Sequence, residues 1–157
     1  VTKPYNWTST WSDETPVFTL NTSRGCPYSC AFCSVKGVWG RSYRFMSADR
    51  VMEEVNYLHK YYGMQMAYFR EDHFTLNKKR LVEVCEKLIA RYGEFSWICE
   101  SRVDSIDDEE IIGLMARSGC RAIYVGVESG SQRMLDIMKK GENVEEFIRV
   151  FDWTKKY

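Results

Sequence analysis

Three cysteines lie within eight residues of one another near the start of the chain. Cys26, Cys30 and Cys33 form a C-x3-C-x2-C spacing on a segment that also contains Gly25 and Pro27. Thiolates this close together can bind one inorganic centre, and an iron–sulfur cube held by only three cysteines keeps one iron open to another ligand. The spacing therefore favours a [4Fe–4S] cluster with a reactive open iron.

Other interpretations of the cysteines stay open at this point. Structural zinc needs four ligands, usually as two separated pairs, and the two histidines lie far along the sequence. The thiols could also pack as small buried side chains, as free cysteine often does. The six cysteines could form three disulfides, although disulfide-rich secreted domains are usually shorter. The remaining three, Cys85, Cys99 and Cys120, fall on predicted core positions, and we assign them to packing.

Polar side chains follow three further apolar runs of the sequence. They are Glu71 and Asp72, then Arg102, and then Glu128 and Ser129. In parallel α/β folds the ligand binds outside the carboxyl ends of the strands, so these residues are candidate cofactor contacts. The structural alternatives are solvated loop charges, ion pairs with neighbouring charges, and a helix cap at Glu128.

The elements that must position these side chains alternate along the chain. Four short apolar runs predict buried strands at residues 17–20, 66–69, 95–99 and 122–127. Helical patterns follow them, with candidate caps at Ser47, Asn77, Asp107, Ser131 and Asn143. Strands that alternate with helices imply right-handed crossovers and a parallel sheet. The predicted fold class is therefore α/β, built from parallel βα repeats.

Composition restricts the class of protein. The 157-residue chain is 45% hydrophobic and 15% aromatic, which is enough to build a core. Lys plus Arg equals 22 and Asp plus Glu equals 22, so no net field draws the chain to nucleic acid or anionic lipid. No apolar run of about 18 residues predicts a membrane span, and no leader pattern suggests secretion. We expect a cytoplasmic protein with no membrane partner and no evident nucleic-acid partner.

Taken together, these residues resemble the radical S-adenosylmethionine (radical SAM) superfamily. Its hallmark is a C-x3-C-x2-C loop after the first barrel strand, with an aromatic residue before the third cysteine, and Phe32 matches that position. In this family the open iron binds the amino and carboxylate groups of SAM, and an electron from the reduced cluster cleaves the sulfonium to give a 5′-deoxyadenosyl radical. The resemblance implies a [4Fe–4S] cluster and SAM as cofactors, and a reducing partner such as flavodoxin or ferredoxin.

The resemblance also implies roles for the strand-end candidates. The loop at Glu71 and Asp72 is similar to the family's second-strand motif near the methionine amino group, while Arg102, Glu128 and Ser129 resemble positions that touch the carboxylate or the ribose. The family motif is often Gly-Gly-Glu, and residues 69–72 lack the glycines. Both carboxylates are therefore candidates for binding the ammonium group.

Within the superfamily, residues 22–26, 72–80 and 126–131 are most similar to the cobalamin-binding branch. Members of that branch carry a cobalamin domain before the barrel, and residues 1–16 resemble the linker or arm between the two, so cobalamin would be bound by a domain absent from this chain. Residues 17–157 would form about four βα units, the N-terminal portion of a partial TIM-like six-stranded radical SAM core, and the chain looks like a fragment. The reaction implied is methyl transfer to an unactivated carbon of a small-molecule or peptide substrate.

Three alternatives to this function remain. A methylthiotransferase or a ring-forming oxidative cyclase of the same superfamily shares similar early barrel motifs. An iron–sulfur electron carrier, or a non-catalytic binding module, would keep the cluster without cleaving SAM. A zinc-binding interaction domain would be colourless and would contain zinc instead of iron.

Overall fold

The structure is a computed structural model that describes residues 16–157. Four parallel strands form its central sheet, in the order β1-β4-β5-β6. They are β1 (Val17–Leu20), β4 (Met66–Phe69), β5 (Ser96–Ser101) and β6 (Cys120–Val125). Two-residue strands β2 (Ser23–Arg24) and β3 (Arg44–Phe45) form a separate antiparallel pair. The predicted α/β class with parallel βα units is confirmed, whereas the predicted arm at residues 1–16 lies, apart from Pro16, outside the described residues.

Helices separate the strands of the parallel sheet. The six helices of the described residues are α1 (Val35–Val38), α2 (Ala48–Tyr62), α3 (Lys78–Tyr92), α4 (Glu109–Arg117), α5 (Gln132–Ile137) and α6 (Val144–Thr154). Single turns of 3₁₀-helix occur at Phe74–Leu76 and Val103–Ser105. None of the helices within residues 16–157 is long and apolar enough to cross a membrane.

Most of the predicted helix starts carry a side-chain cap. The side chains of Ser47 and Asn77 accept hydrogen bonds from backbone N–H groups three residues later, and Asn143 forms a complete capping box with Glu146. The predicted start at Asp107 is wrong by one residue: Asp108 caps α4, because the Asp107 carboxylate is instead paired with a lysine of α3. Ser131 occupies the N-cap position of α5 but makes no side-chain cap bond.

The main core lies between the sheet and helices α2, α3 and α4. Phe69, Phe74 and Trp97 are fully buried there, and the first two rings stack with centroids 4.6 Å apart. Cys85 and Cys99 belong to the same core and Cys120 packs against it, as the packing assignment expects. Burial raises the pKa of the Cys85 thiol to about 12, so this cysteine remains an unreactive thiol at neutral pH.

The register of the sheet brings all four strand ends to one edge. Leu20 pairs with Phe69, Phe69 with Cys99, and Cys99 with Ile123, so the strands run side by side in the same direction. On the face turned away from the main core, the side chains of Val17, Met66, Tyr68 and Ile98 form a smaller apolar group. The loops that follow the four strands are therefore neighbours, although they are far apart in sequence.

Candidate functional site

The cysteine loop follows β1, and the residue before its first cysteine has a backbone conformation that favours glycine. Gly25 has a φ of +86°, and a Cβ at this position would collide with the carbonyl oxygen of Ser42. The Gly25 N–H donates to the Asp72 carboxylate at 3.2 Å, and the Ala31 N–H donates to the Met138 carbonyl at 2.8 Å. Hydrogen bonds to two distant segments thus hold the loop in place at Gly25 and at Ala31.

A cavity of about 310 Å³ lies at the carboxyl edge of the sheet, within the range typical of ligand pockets. Each of the four parallel strands contributes to its wall, through Cys26 after β1, Asp72 after β4, Arg102 after β5 and Glu128 after β6. All three cysteines of the loop line this cavity, and all three also line a second cavity of about 240 Å³ whose lining comes mostly from the same loop. Cys33 is exposed, and the other two cysteines of the loop are half-buried.

The structure separates the predicted site residues into two sets. Phe32, Asp72, Arg102 and Glu128 line the cavity together with the three cysteines, and the Phe32 ring is 51% exposed. Glu71 and Ser129 do not line it. The Ser129 hydroxyl accepts a hydrogen bond from the Ser131 N–H at 3.1 Å, just before α5.

Glu71 points away from the cavity and is completely buried. One carboxylate oxygen accepts from the Thr22 backbone N–H at 2.6 Å and from the Thr22 hydroxyl, and the other accepts from the Ser23 hydroxyl. The guanidinium of Arg80, also buried, lies 3.7 Å from this carboxylate and donates to the Thr22 hydroxyl. Both carboxylate oxygens of Glu71 are therefore occupied by groups of the chain itself.

Glu128 has an unusual backbone conformation at the rim of the cavity. Its φ of +59° is rare for a residue with a side chain, and strain of this kind is often found at functional sites. Its carboxylate lies 3.7 Å from the Lys140 ammonium group, and the two side chains close over Gly126, where a Cβ would collide with the Glu128 carboxylate. Gly126 therefore leaves the space that these two charged groups occupy.

Arg102 is buried between the cysteine loop and the segment after α5. Its guanidinium donates to the Asp104 carboxylate at 2.7 Å and stacks on the Tyr28 ring, 3.9 Å from the ring centre. Burial of the guanidinium lowers its pKa, but the hydrogen bond and charge of Asp104 outweigh that and raise the pKa above its usual value. Arg102 is therefore permanently charged.

Sequence reasoning missed two charged residues that belong to the site. Lys140 lines the cavity although it is almost fully buried, and its ammonium group lies 3.3 Å from the buried Glu142 carboxylate. Glu142 in turn accepts from the Val103 N–H at 2.8 Å, which ties the segment after α5 to the end of β5. In the sequence both look like ordinary polar residues between two helices, and no local pattern distinguishes them.

Three aromatic or carboxylate side chains of the site were also missed. Glu100 and Tyr124 line the cavity from β5 and β6, and the Tyr68 hydroxyl donates to Glu100 at 2.6 Å. Tyr28, inside the cysteine loop, packs between Arg102 and the buried His73 ring, whose centre is 5.7 Å away. Successive side chains of a strand point to opposite faces, so counting in steps of two along β5 and β6 could have placed Glu100 and Tyr124 on one side of the sheet.

The arrangement of thiols suits a cluster better than a single ion. Within residues 16–157, no three side chains of His, Cys, Asp or Glu are placed to hold one metal ion. A [4Fe–4S] cluster presents separate iron atoms to separate thiolates, so its ligands surround a volume, as Cys26, Cys30 and Cys33 do around the shared cavities. The cations Arg102 and Lys140 lie in the same wall and would offset part of the negative charge of cluster-bound thiolates.

Burial affects the acidity of the first cysteine of the loop. Partial burial raises the pKa of the Cys26 thiol, while a backbone hydrogen bond from Tyr28 and the charge of Arg102 act in the opposite direction. A thiol in this state loses its proton when a metal replaces it, which makes metal binding depend on pH.

Comparisons with known proteins identify similar sequences. A family profile described as the Radical SAM superfamily matches residues 20–157. The sequence is 36% identical over 93% of this chain to a protein of Pyrococcus horikoshii named as an uncharacterized methyltransferase, PH0819. It is 31% identical over 86% of this chain to an anaerobic magnesium-protoporphyrin IX monomethyl ester cyclase of Rubrivivax gelatinosus. The chain covers only 32% and 24% of the lengths of these two relatives.

A solved structure shares the same fold. The cobalamin-dependent S-adenosylmethionine radical enzyme OxsB, solved with aqua-cobalamin and S-adenosylmethionine bound, superposes with a TM-score of 0.75 at 26% sequence identity. The superposition covers 87% of this chain and 22% of OxsB. The similarity to the cobalamin-binding branch that the sequence motifs predicted is therefore found in the three-dimensional fold as well.

Proposed function

The chain belongs to the radical SAM superfamily, and from this premise we propose that Cys26, Cys30 and Cys33 bind a [4Fe–4S] cluster whose open iron binds SAM. The observation that carries the proposal is that three thiols and two buried cations share one cavity at the carboxyl edge of a parallel sheet. Once bound there and reduced, the cluster supplies the electron that cleaves the sulfonium of SAM and yields a 5′-deoxyadenosyl radical.

Asp72 is the better of the two candidate carboxylates for the ammonium group of SAM. It lines the cavity, and within residues 16–157 its carboxylate accepts a hydrogen bond only from the Gly25 N–H, so lone pairs remain for a ligand. Glu71 is the weaker candidate, because Thr22 and Ser23 already use both of its oxygens. Asp72 would therefore orient the methionine end of SAM beside the cysteine loop.

Lys140 and Glu128 can bind the other polar groups of SAM. The Lys140 ammonium group faces the cavity as a buried cation, which suits the methionine carboxylate. The Glu128 carboxylate lies beside it and can accept hydrogen bonds from ribose hydroxyls. The exposed Phe32 ring would cover the adjacent apolar part of the cofactor.

For the whole protein we propose a cobalamin-dependent methyltransferase. One relative is named as a methyltransferase, and OxsB is named as a cobalamin-dependent radical enzyme, which supports cobalamin bound by a domain outside this chain. The acceptor would be an unactivated carbon of a small molecule or peptide, and a flavodoxin or ferredoxin would supply the electron. A ring-forming oxidative reaction is the second candidate, because another relative is named as a cyclase.

The test measures iron, labile sulfide and 5′-deoxyadenosine on the full-length protein, reconstituted without oxygen and reduced with dithionite. We expect about four irons and four sulfides per chain, with product formed by the parent and none by Cys30→Ala. Cys120→Ala is the matched control, since this thiol lies outside the site and its loss should leave the product unchanged. An intact cluster without product would favour an electron carrier, and zinc without iron would exclude both enzyme and carrier.

A second measurement separates the two candidate reactions. SAM labelled with deuterium in its methyl group is supplied to the cobalamin-loaded protein. Transfer of the label to an acceptor supports the methyltransferase, whereas substrate oxidation with no label transferred supports the cyclase.

A further inference from the structure

The guanidinium of Arg102 makes a direct contact with one of the three candidate cluster ligands. Its Nη1 lies 3.3 Å from the sulfur atom of Cys30, with the geometry of a hydrogen bond from nitrogen to sulfur. The two residues are 72 positions apart in the sequence, so the contact is made only by the fold.

The remaining donors of Arg102 are used by oxygen atoms of the chain. Its Nε donates to the Asp104 carboxylate at 3.0 Å, and its Nη2 donates to the same carboxylate and to the Lys140 carbonyl, both at 2.7 Å. Because a guanidinium is planar and its five donors have fixed directions, these bonds determine where Nη1 points. Nη1 is thereby aimed at the sulfur of Cys30.

The surroundings of Arg102 make this contact strong. Its side chain is only 7% exposed, the buried Glu142 carboxylate lies 3.8 Å away, and the Tyr28 ring covers one face of the guanidinium. In such a site water screens the positive charge weakly, so its effect on a nearby negative charge is larger than at the surface. Hydrogen bonds to cluster sulfurs and local charge are among the factors that set the reduction potential of an iron–sulfur cluster.

We propose that Arg102 is a positioning residue for the iron–sulfur cluster, and that its hydrogen bond to Cys30 raises the cluster's reduction potential. The proposal rests on the proposed function, because it requires the cluster to be bound at the three cysteines. Reduction adds one electron from the external reductant to the cluster and increases its negative charge. A fixed cation and a hydrogen bond at Cys30 stabilise that reduced form more than the oxidised form. Arg102 thus acts on the cluster, and Lys140 is left as the cation that faces SAM.

The first experiment needs no substitution. The full-length protein is grown with arginine labelled by ¹⁵N in the guanidinium group, reconstituted with iron and sulfide, and reduced with dithionite in the absence of SAM. Pulsed electron paramagnetic resonance of the reduced cluster should then detect a weak ¹⁵N coupling. A reduced cluster with no ¹⁵N coupling would overturn the proposal, while the absence of any cluster would overturn the proposed function as well.

The second experiment compares reduction potentials in a redox titration. Arg102→Met should shift the reduction equilibrium about tenfold toward the oxidised cluster, which corresponds to about 59 mV for one electron. Arg102→Lys retains a charge but lacks the planar donor, so we expect a smaller shift in the same direction and loss of the ¹⁵N coupling. Arg70→Met is the matched control: Arg70 lies at the same edge of the sheet but is 63% exposed and pairs with Glu100. Its removal should leave the potential unchanged.

A purely structural role for Arg102 would give a different result. The variants would then contain fewer clusters per chain, but the clusters that do form would titrate at the parent's potential. Equal potentials in the parent, Arg102→Met and Arg102→Lys would therefore refute the proposal even if iron content fell. Since Arg102→Met leaves the partly buried Asp104 carboxylate without its cation, and Glu142 with Lys140 as its remaining cation, that variant could fail to fold; Arg102→Lys and the labelled parent then keep the test decisive.

Discussion

Two groups of buried charged residues contact the segment that follows β1, and they differ in the partners of their hydrogen-bonding atoms. The closed group consists of Thr22, Ser23, Glu71 and Arg80. Every carboxylate oxygen in it accepts from a neighbour. Thr22 and Ser23 line a separate cavity beside β2 and β3, but neither Glu71 nor Arg80 lines that cavity or the one at the cysteine loop. A group of this kind fixes the chain, and here it holds the first residues after β1 against the start of α3.

The open group consists of Cys30, Arg102, Asp104, Lys140 and Glu142. One oxygen of Glu142 has no hydrogen-bond partner among the described residues, Arg102 donates to a thiol, and the Lys140 ammonium group lines the cavity. Both groups contain a buried arginine and a buried glutamate, so burial of charge alone does not identify a functional site. The difference is that the open group contacts a thiol of the cysteine loop and places two cations in the wall of a cavity that a ligand can enter.

The largest effect is expected from removing the carboxylate of the closed group. Glu71→Ala leaves Arg80 buried without its partner, and loss of one member of a buried pair costs about 3–5 kcal/mol of unfolding free energy. Chemical denaturation of the cluster-free, full-length protein measures this. Glu53→Ala is the control, because Glu53 is exposed on α2 and should change stability by less than about 0.5 kcal/mol. Equal stability of the two variants would mean that the closed group is not a structural element.

A pH-dependent loss of unfolding free energy, nearly as large as the loss in Glu71→Ala, is expected from His73, which contacts the open group through Tyr28. Burial lowers the pKa of His73 to about 4, from an ordinary value of about 6.5. Between these values the unfolded chain binds a proton that the folded chain does not, so acidification favours unfolding. The loss reaches about 3 kcal/mol when the pH falls from 6.5 to 4.

The measurement compares the parent with His73→Gln, which retains a hydrogen-bonding group toward Ser105 but does not titrate. Unfolding free energies of the cluster-free protein are measured at several pH values between 4 and 7. The parent should lose more stability than the variant as the pH falls. Parallel pH profiles for the two proteins would contradict burial of a neutral imidazole at this position.

A smaller effect on stability, but a clear effect on binding, is expected at Asp72, the neighbour of Glu71. Asp72→Asn removes one charge at the cavity wall and should weaken SAM binding about tenfold, since a hydrogen bond to a charged group contributes about 1.5–3 kcal/mol. Equilibrium binding to the cluster-loaded protein measures this. Stability should change by less than about 1 kcal/mol, in contrast to Glu71→Ala. Normal SAM affinity in Asp72→Asn would remove the functional distinction between these adjacent carboxylates.

The smallest effect is expected at the capping box of α6, which directly follows Glu142. Asn143→Ala removes the side chain that accepts from the Glu146 N–H at 3.0 Å and should cost about 1 kcal/mol of stability. Asn143→Ser retains a capping oxygen and should recover most of that loss. A loss of cluster binding in Asn143→Ala without a matching loss of stability would mean that the cap also positions the open group.

The sequence predicted local structure well because local rules determine it. The strands at 17–20 and 66–69 have the predicted bounds, and Ser47, Asn77 and Asn143 cap helices as their side chains favour. The later strands differ by one or two residues at their ends, where apolar patterns are least informative. The spacing of the three cysteines indicated the chemistry directly, since it depends on residue type and short-range order alone.

Local sequence patterns were therefore enough to predict the α/β class, the order of the elements and the cysteine loop. Which of the adjacent carboxylates Glu71 and Asp72 faces the cavity depends instead on tertiary contacts. Glu71 turns inward because Thr22, 49 residues earlier, and Arg80 from α3 bind it. Lys140 joins the site because its carbonyl accepts from Arg102, 38 residues earlier. Contacts between residues so far apart have no local signal, because they arise only when the sheet brings its strand ends together.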